Sequence, residues 1–244
     1  IPHYRINSHV HPSNLEGENE YCLLPNFRLP QHIHSRSANA KWLVEIAHKN
    51  PIWIHPTDAA KLGVAEGELL KIQTEIGWFV DKVWVTESIK PGVIGCSHHI
   101  GRWRQKQDAG NRMMTNTVSI EDRGDGKWRM RTISGIEPFK SSDADTNRLF
   151  WRDGGVHQNI THAVQPDPIS GSHCWLQKVK LSTPSEGEEY GDVEVDTARS
   201  FAYYKKWNHW AKERETHPRG ERRPLWMKRP LSPRKEHWFI DEEE

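Results

Sequence analysis

Three short stretches carry side chains able to bind or polarise a ligand. Ser35-Arg36-Ser37 stands just before residues 38–48, where Leu43, Ile46 and Ala47 fall on one helical face. Ser37 can cap such a helix, and the unpaired N–H groups at a helix start favour an anion. A guanidinium and two hydroxyls beside that start make an anion site; the plainer alternative is a capped surface helix with a solvated arginine. Ser97-His98-His99 and His32-x-His34 bring imidazoles, which can ligate metals or hydrogen-bond a ring. Adjacent residues usually point apart, and no further ligands stand at zinc-site spacings, so no metal site is assigned. Asn159-Ile160-Thr161 fits a glycosylation acceptor or an amide that contacts a ligand. Cys22, Cys96 and Cys174 are an odd, widely spaced set with no CxxC pair. That argues against a disulfide framework, a zinc ribbon or an iron–sulfur site in this chain. No residue is assigned as catalytic.

The elements that must position these groups are clearest in residues 50–101. Ile52-Trp53-Ile54 is a short strand. His55-Pro56-Thr57-Asp58 then opens a two-turn helix that Gly63 closes, with proline at its start and glycine past its end. After a turn at Gly67, residues 69–74 read as a strand, Gly77 as a turn and residues 79–86 as another strand. On that last strand Phe79, Asp81, Val83 and Val85 share one face. Lys90-Pro91-Gly92 is a tight turn, and residues 93–96 form a short strand that delivers Ser97-His98-His99 to a loop. Downstream, RGDGKWRMR predicts a hairpin with an Asp-Gly turn. Gly154-Gly155 permits close backbone approach, and residues 175–181 alternate as a closing strand.

The run IHPTDAAKLGVAEGELLKIQTEIG, followed by VWVTESIKPGVIGCSHHIG, resembles the C-terminal dinucleotide-binding domain of molybdopterin (molybdenum or tungsten) oxidoreductases of the dimethylsulfoxide reductase and formate dehydrogenase type. Pro56, Asp58, Ala59, Gly63, Gly67, Pro91 and Gly92 fill that family's pattern, with Glu68 where relatives often carry Asp. Asn159-Ile160-Thr161 and Asp167-Pro168-Ile169-Ser170-Gly171 match it in order; Cys174-Trp175 replaces the Tyr-Lys frequent in relatives. The resemblance implies a mainly β fold, a six-stranded double-psi β-barrel. It implies a bound molybdopterin guanine dinucleotide with Mo or W, shared with upstream domains. It places His32, His34, Ser35, Arg36, Ser37, Ser97, His98, His99, Asn159, Trp175 and Gln177 beside that cofactor. The metal's own protein ligand and any iron–sulfur cluster would belong to upstream or partner chains. The expected partners are therefore an iron–sulfur electron-transfer subunit and the upstream domains of the catalytic subunit.

Composition sets the outer limits. Lys+Arg 34 against Asp+Glu 33 leaves a net charge of +1, which suggests neither nucleic acid nor a membrane surface as partner. The Arg-rich stretch from Arg102 to Arg131, with Trp103 and Trp128, is offset by Asp108, Glu121, Asp122 and Asp125. Hydrophobic residues make up 35% of the chain, and no run approaches the ~18 apolar residues of a membrane helix. The 12 tryptophans, 15 histidines and mean hydropathy of −0.84 suggest polar, aromatic-studded arms laid on other protein surface. The expected organisation is an extended lead-in over residues 1–30, a barrel over 31–181 with an insertion at 102–149, and an interaction arm over 182–244. In that arm Tyr203, Trp207 and Trp210 share a helical face. The chain starts at Ile1, so upstream sequence is expected, and with it any export signal; prokaryotic cytoplasm and periplasm both stay open. Two other readings stay open too: a stand-alone double-psi barrel, either a binding module or an aspartate-decarboxylase-like enzyme with Gly171-Ser172 as its self-processing site, and a histidine-rich zinc protein.

Overall fold

The computed structural model describes residues 15, 17–25, 34, 43, 46–47, 49–101, 118–132, 155–163 and 175–213, the last eight by backbone alone. By contacts the chain divides into two units, Ile1–Ala163 with Trp175–Phe201 and Val164–Cys174 with Ala202–Glu244. The first contains the whole sheet. In chain order its elements are β1 (Glu20–Leu24), β2 (Ile52–Ile54), α1 (Pro56–Leu62), β3 (Leu69–Gln73), β4 (Gly77–Val85), β5 (Val93–Gly95), β6 (Val118–Asp122) and β7 (Lys127–Thr132). A 3-10 turn at Gln158–Thr161, then β8 (Gln177–Ser182) and β9 (Val193–Asp196), complete it. Helix α2 (Thr197–Glu213) runs from the first unit into the second, where its later turns are the only described structure.

Six strands close on themselves in the order β2-β5-β1-β8-β3-β4, and β4 pairs back to β2. Two of these pairings are parallel, β1 with β5 and β2 with β4; the other four are antiparallel. A closed, mainly β barrel is what the family resemblance implies, and crossover pairings of this kind are what a double-psi topology needs. Leu23, Ile52, Ile54, Ile72, Phe79 and Ile94 fill the interior at 0% exposure.

Local chemistry explains α1. His55 caps it, its side chain accepting the Thr57 N–H; Pro56 takes the first turn, and Gly63 ends it at φ 66°. Asp58, an acidic residue suited to the helix start, does more than that: it is buried and accepts the Gly92 N–H at 2.7 Å. It thus ties the helix to the 90–92 turn. The predicted hairpin is present as β6–β7, with Gly124, Asp125 and Gly126 all at positive φ.

Two expectations need correction. Residues 20–24, expected in an extended lead-in, are a barrel strand: Tyr21 and Leu23 face inward between β5 and β8. Five residues carry too little periodicity to stand out, yet without them β5 and β8 have no common neighbour. The chain also does not leave the sheet at residue 182, because β9 pairs with both β4 and β7. Through β9 the hairpin β6–β7, which falls within the expected 102–149 insertion, is joined to the barrel. On β4 the face shared by Phe79, Asp81 and Val83 is buried as a set, and residues 78–81 are buried on both faces. The 3-10 turn packs on this end of β4, and Trp78 is covered by Lys71 and Arg129 at 4.2 and 4.9 Å from its ring.

Candidate functional site

The strand β5 ends where Cys96-Ser97-His98-His99 begins, and this loop is held from several sides. Asn50 is the main fastener. Its side-chain amide donates to Ser97 O at 2.8 Å and Val156 O at 2.9 Å, and accepts from Val156 N at 2.8 Å. Gln158 donates to Cys96 O at 2.5 Å, and His98 N donates to Pro25 O at 2.9 Å. Two chain segments, residues 155–159 and the end of β1, are thereby locked to the loop. Gly155 makes this possible: at φ 76° it sits against the Asn50 amide, where a Cβ would collide with the oxygen.

The loop presents a cluster of rings. His98 and His99 have centroids 3.8 Å apart; His34 lies 4.6 Å from His99 and 5.3 Å from His98. His34 holds a left-handed backbone, φ 50°, and its N–H donates to His99 O at 3.1 Å. Trp175 stacks on the other side of His98 at 4.9 Å and 19°. Asn159 donates to His98 O at 3.4 Å. The expectation that adjacent histidines diverge therefore fails here: a tight loop, unlike a strand, turns both rings to one side.

Of the residues singled out in the sequence, His34, Ser97, His98, His99, Asn159 and Trp175 come together. Gln177 instead lies in the barrel wall, opposite Leu23 and 1% exposed. His32, Ser35, Arg36 and Ser37 lie outside the described residues, as does the Gly171-Ser172 pair. Sequence reasoning missed Asn50 and Gln158. Asn50 had a weak signal, a polar residue just before Pro51 and a strand; Gln158 had none.

Two buried acceptors have no hydrogen-bond partner among the described residues, Gln158 Oε1 and Asn159 Oδ1. Leaving such an atom dry costs about 1–3 kcal/mol, so a nearby donor supplied by a ligand would be favoured. Burial lowers the affinity of His157 for a proton, partly offset by its bond with Gly101 and reinforced by His34. Burial, with Asp81 adding to it, pushes the Cys96 thiol far up, so this cysteine is no nucleophile.

Comparison with known proteins agrees with this picture. A family model, the molydopterin dinucleotide binding domain, matches residues 23–124. Trimethylamine-N-oxide reductase of Haemophilus influenzae is 31% identical over 38% of this chain and 12% of its own length. The molybdopterin-containing ArrA component of the arsenate respiratory reductase of Chrysiogenes arsenatis is 22% identical, covering 59% of this chain and 18% of its own. A tetrathionate reductase component of Archaeoglobus fulgidus is 26% identical, covering 55% and 14%. The chain thus spans less than a fifth of each of these relatives. Among solved structures, acetylene hydratase from Pelobacter acetylenicus overlaps 75% of this chain and 21% of its own, at 15% identity and a TM-score of 0.40.

Proposed function

Because residues 23–124 match a molydopterin dinucleotide-binding domain, we propose that this chain is the part of a molybdenum or tungsten oxidoreductase that holds one pterin guanine dinucleotide. The observation that carries the assignment is the convergence of His34, His98, His99, Asn159 and Trp175 beside two unsatisfied buried acceptors. The residues fit such a group. Asn159 Oδ1, Gln158 Oε1 and the free ring nitrogen of His98 can accept from ring N–H edges, and a neutral imidazole at His34 or His99 can donate or accept according to its tautomer. The Asn50 clasp holds the loop before the ligand arrives, so little ordering is left for binding. Arg36 and the Ser35 and Ser37 hydroxyls supply charge-assisted donors for a diphosphate.

When bound, the cofactor supplies the redox step, an oxygen-atom or two-electron transfer at the metal. The share of this chain is binding, orientation and exclusion of water. The metal's protein ligand, the substrate pocket and any iron–sulfur cluster belong to upstream domains or to an electron-transfer subunit.

The test uses the whole enzyme. Asn159→Ala and Arg36→Ala are expected to lower pterin and metal content after purification, each removing a hydrogen bond worth about 1.5–3 kcal/mol to a charged group or about 1 kcal/mol to a neutral one. The thermal midpoint of the barrel serves as the folding control. Full pterin and metal content in both variants would refute the assignment of these residues.

A further inference from the structure

The three histidines of the loop cluster have a geometry that a ring-binding role does not require. The ligand-capable atoms of His34, His98 and His99 all lie within 4.8 Å of one another, with His98 and His99 buried and His34 exposed. Three imidazole nitrogens around one zinc-class ion sit about 2.0–2.1 Å from it, so their mutual separations are about 3.3 Å. Modest ring rotations close that difference.

The surroundings also set the tautomer. His98 Nδ1 is 2.7 Å from Pro25 O. A carbonyl oxygen only accepts, so the proton is on Nδ1 and the lone pair of the neutral ring is on Nε2. A backbone carbonyl behind the ring is the usual device for aiming a metal-binding histidine. Ser97 Oγ lies 3.5 Å from His99 Nδ1; a hydroxyl both donates and accepts, so it steadies this ring without fixing its tautomer. The bond from His34 N to His99 O brings the third ring in from a separate segment.

We propose that His34, His98 and His99 form a three-histidine site for a borderline divalent cation of the Zn2+ class. Neutral imidazole suits Zn2+, Ni2+ and Cu2+ and discriminates against Mg2+ and Ca2+, which prefer oxygen. A pterin edge and a metal ion cannot use the same imidazoles at once, so the site is one for the chain without its dinucleotide; the inference rests on ring geometry and on the His98 tautomer. The buried Cys96 is directed at Asn50 O and is not one of the ligands.

The experiment is a titration of the 244-residue chain, stripped of metal with a chelator, using Co2+ as a spectroscopic probe. One equivalent should bind with the visible ligand-field absorption of a four-coordinate site, and Zn2+ should abolish that absorption by displacement. Mg2+ should not. His34→Ala changes an exposed side chain, and His99→Gln keeps a polar group in place. Each should weaken Co2+ binding at least about tenfold. A melting curve accompanies each variant, and because two substitutions at differently buried positions are compared, unfolding of one leaves the other decisive. No stoichiometric Co2+ on the folded chain, or uptake unchanged in both variants, would overturn the proposal.

Discussion

Asn50 and Gly155 show how a single contact positions the candidate site. The amide reaches Val156 only because Gly155 has no side chain and accepts φ 76°. Gly155→Ala is therefore expected to destabilise the fold by about 1–3 kcal/mol from backbone strain, and more if the Asn50 clasp opens; urea unfolding measures it, and an unchanged midpoint contradicts the account. His157 offers a pH test. Its proton affinity is depressed in the fold, so below its ordinary value of about 6.5 the unfolded chain binds more protons than the native one. The stability this histidine contributes is present above that value and is lost as pH falls through it. Lowering pH from about 7.5 to 5.5 should lower the urea midpoint, and the drop should shrink in His157→Asn. A drop of equal size in the variant would place the titration elsewhere.

At the scale of elements, the hairpin β6–β7 and strand β9 are joined by charge as well as by backbone. Arg131 reaches both carboxylate oxygens of Asp192 at 2.6 and 2.7 Å, and Asp192 is fully buried. That bond makes the guanidinium hold its proton still more tightly. Arg129 pairs with Glu194 at 2.9 Å, and Lys71 with Glu188 at 2.5 Å. Arg131→Met leaves the Asp192 carboxylate buried without its partner, which should cost about 3 kcal/mol by denaturant unfolding. Arg129→Met, at a more accessible pair, should cost less. Equal losses would mean that burial of Asp192 is not what makes its pair matter.

At the scale of the molecule, the boundary drawn from composition and the boundary drawn by pairing predict different truncations. A cut after Leu181 removes β9 and with it the Glu188, Asp192 and Glu194 partners, and bares the edge of β4. Such a fragment should melt lower and aggregate. A cut after Phe201 keeps the whole sheet and should preserve the melting temperature of the barrel. Docking of Tyr203, Trp207 and Trp210 on a neighbour would then show as weakened assembly of the full enzyme, read by size-exclusion chromatography. On the proposed reading, in which the metal's ligand and the rest of the cofactor's enclosure lie outside this chain, the chain expressed alone should carry no stoichiometric molybdenum. Elemental analysis decides this.

The sequence by itself determined the features that depend on local chemistry. Proline, cap and glycine specify α1, and Asp-Gly specifies the hairpin turn. Alternation marks β8, and the ordered pattern from Pro56 to Gly92 carries the resemblance to the dinucleotide-binding family model. Only the tertiary structure decided what depends on partners distant in the chain. The five residues of β1 become a strand because β5 and β8 need a common neighbour. β9 stays in the sheet because buried carboxylates meet arginines more than sixty positions away. The adjacent histidines face one way because a loop, pinned by an asparagine and a glycine over a hundred residues apart, turns them together. None of these pairings leaves a periodic trace, since each is closed by side chains or short strands whose meaning exists only once the barrel does.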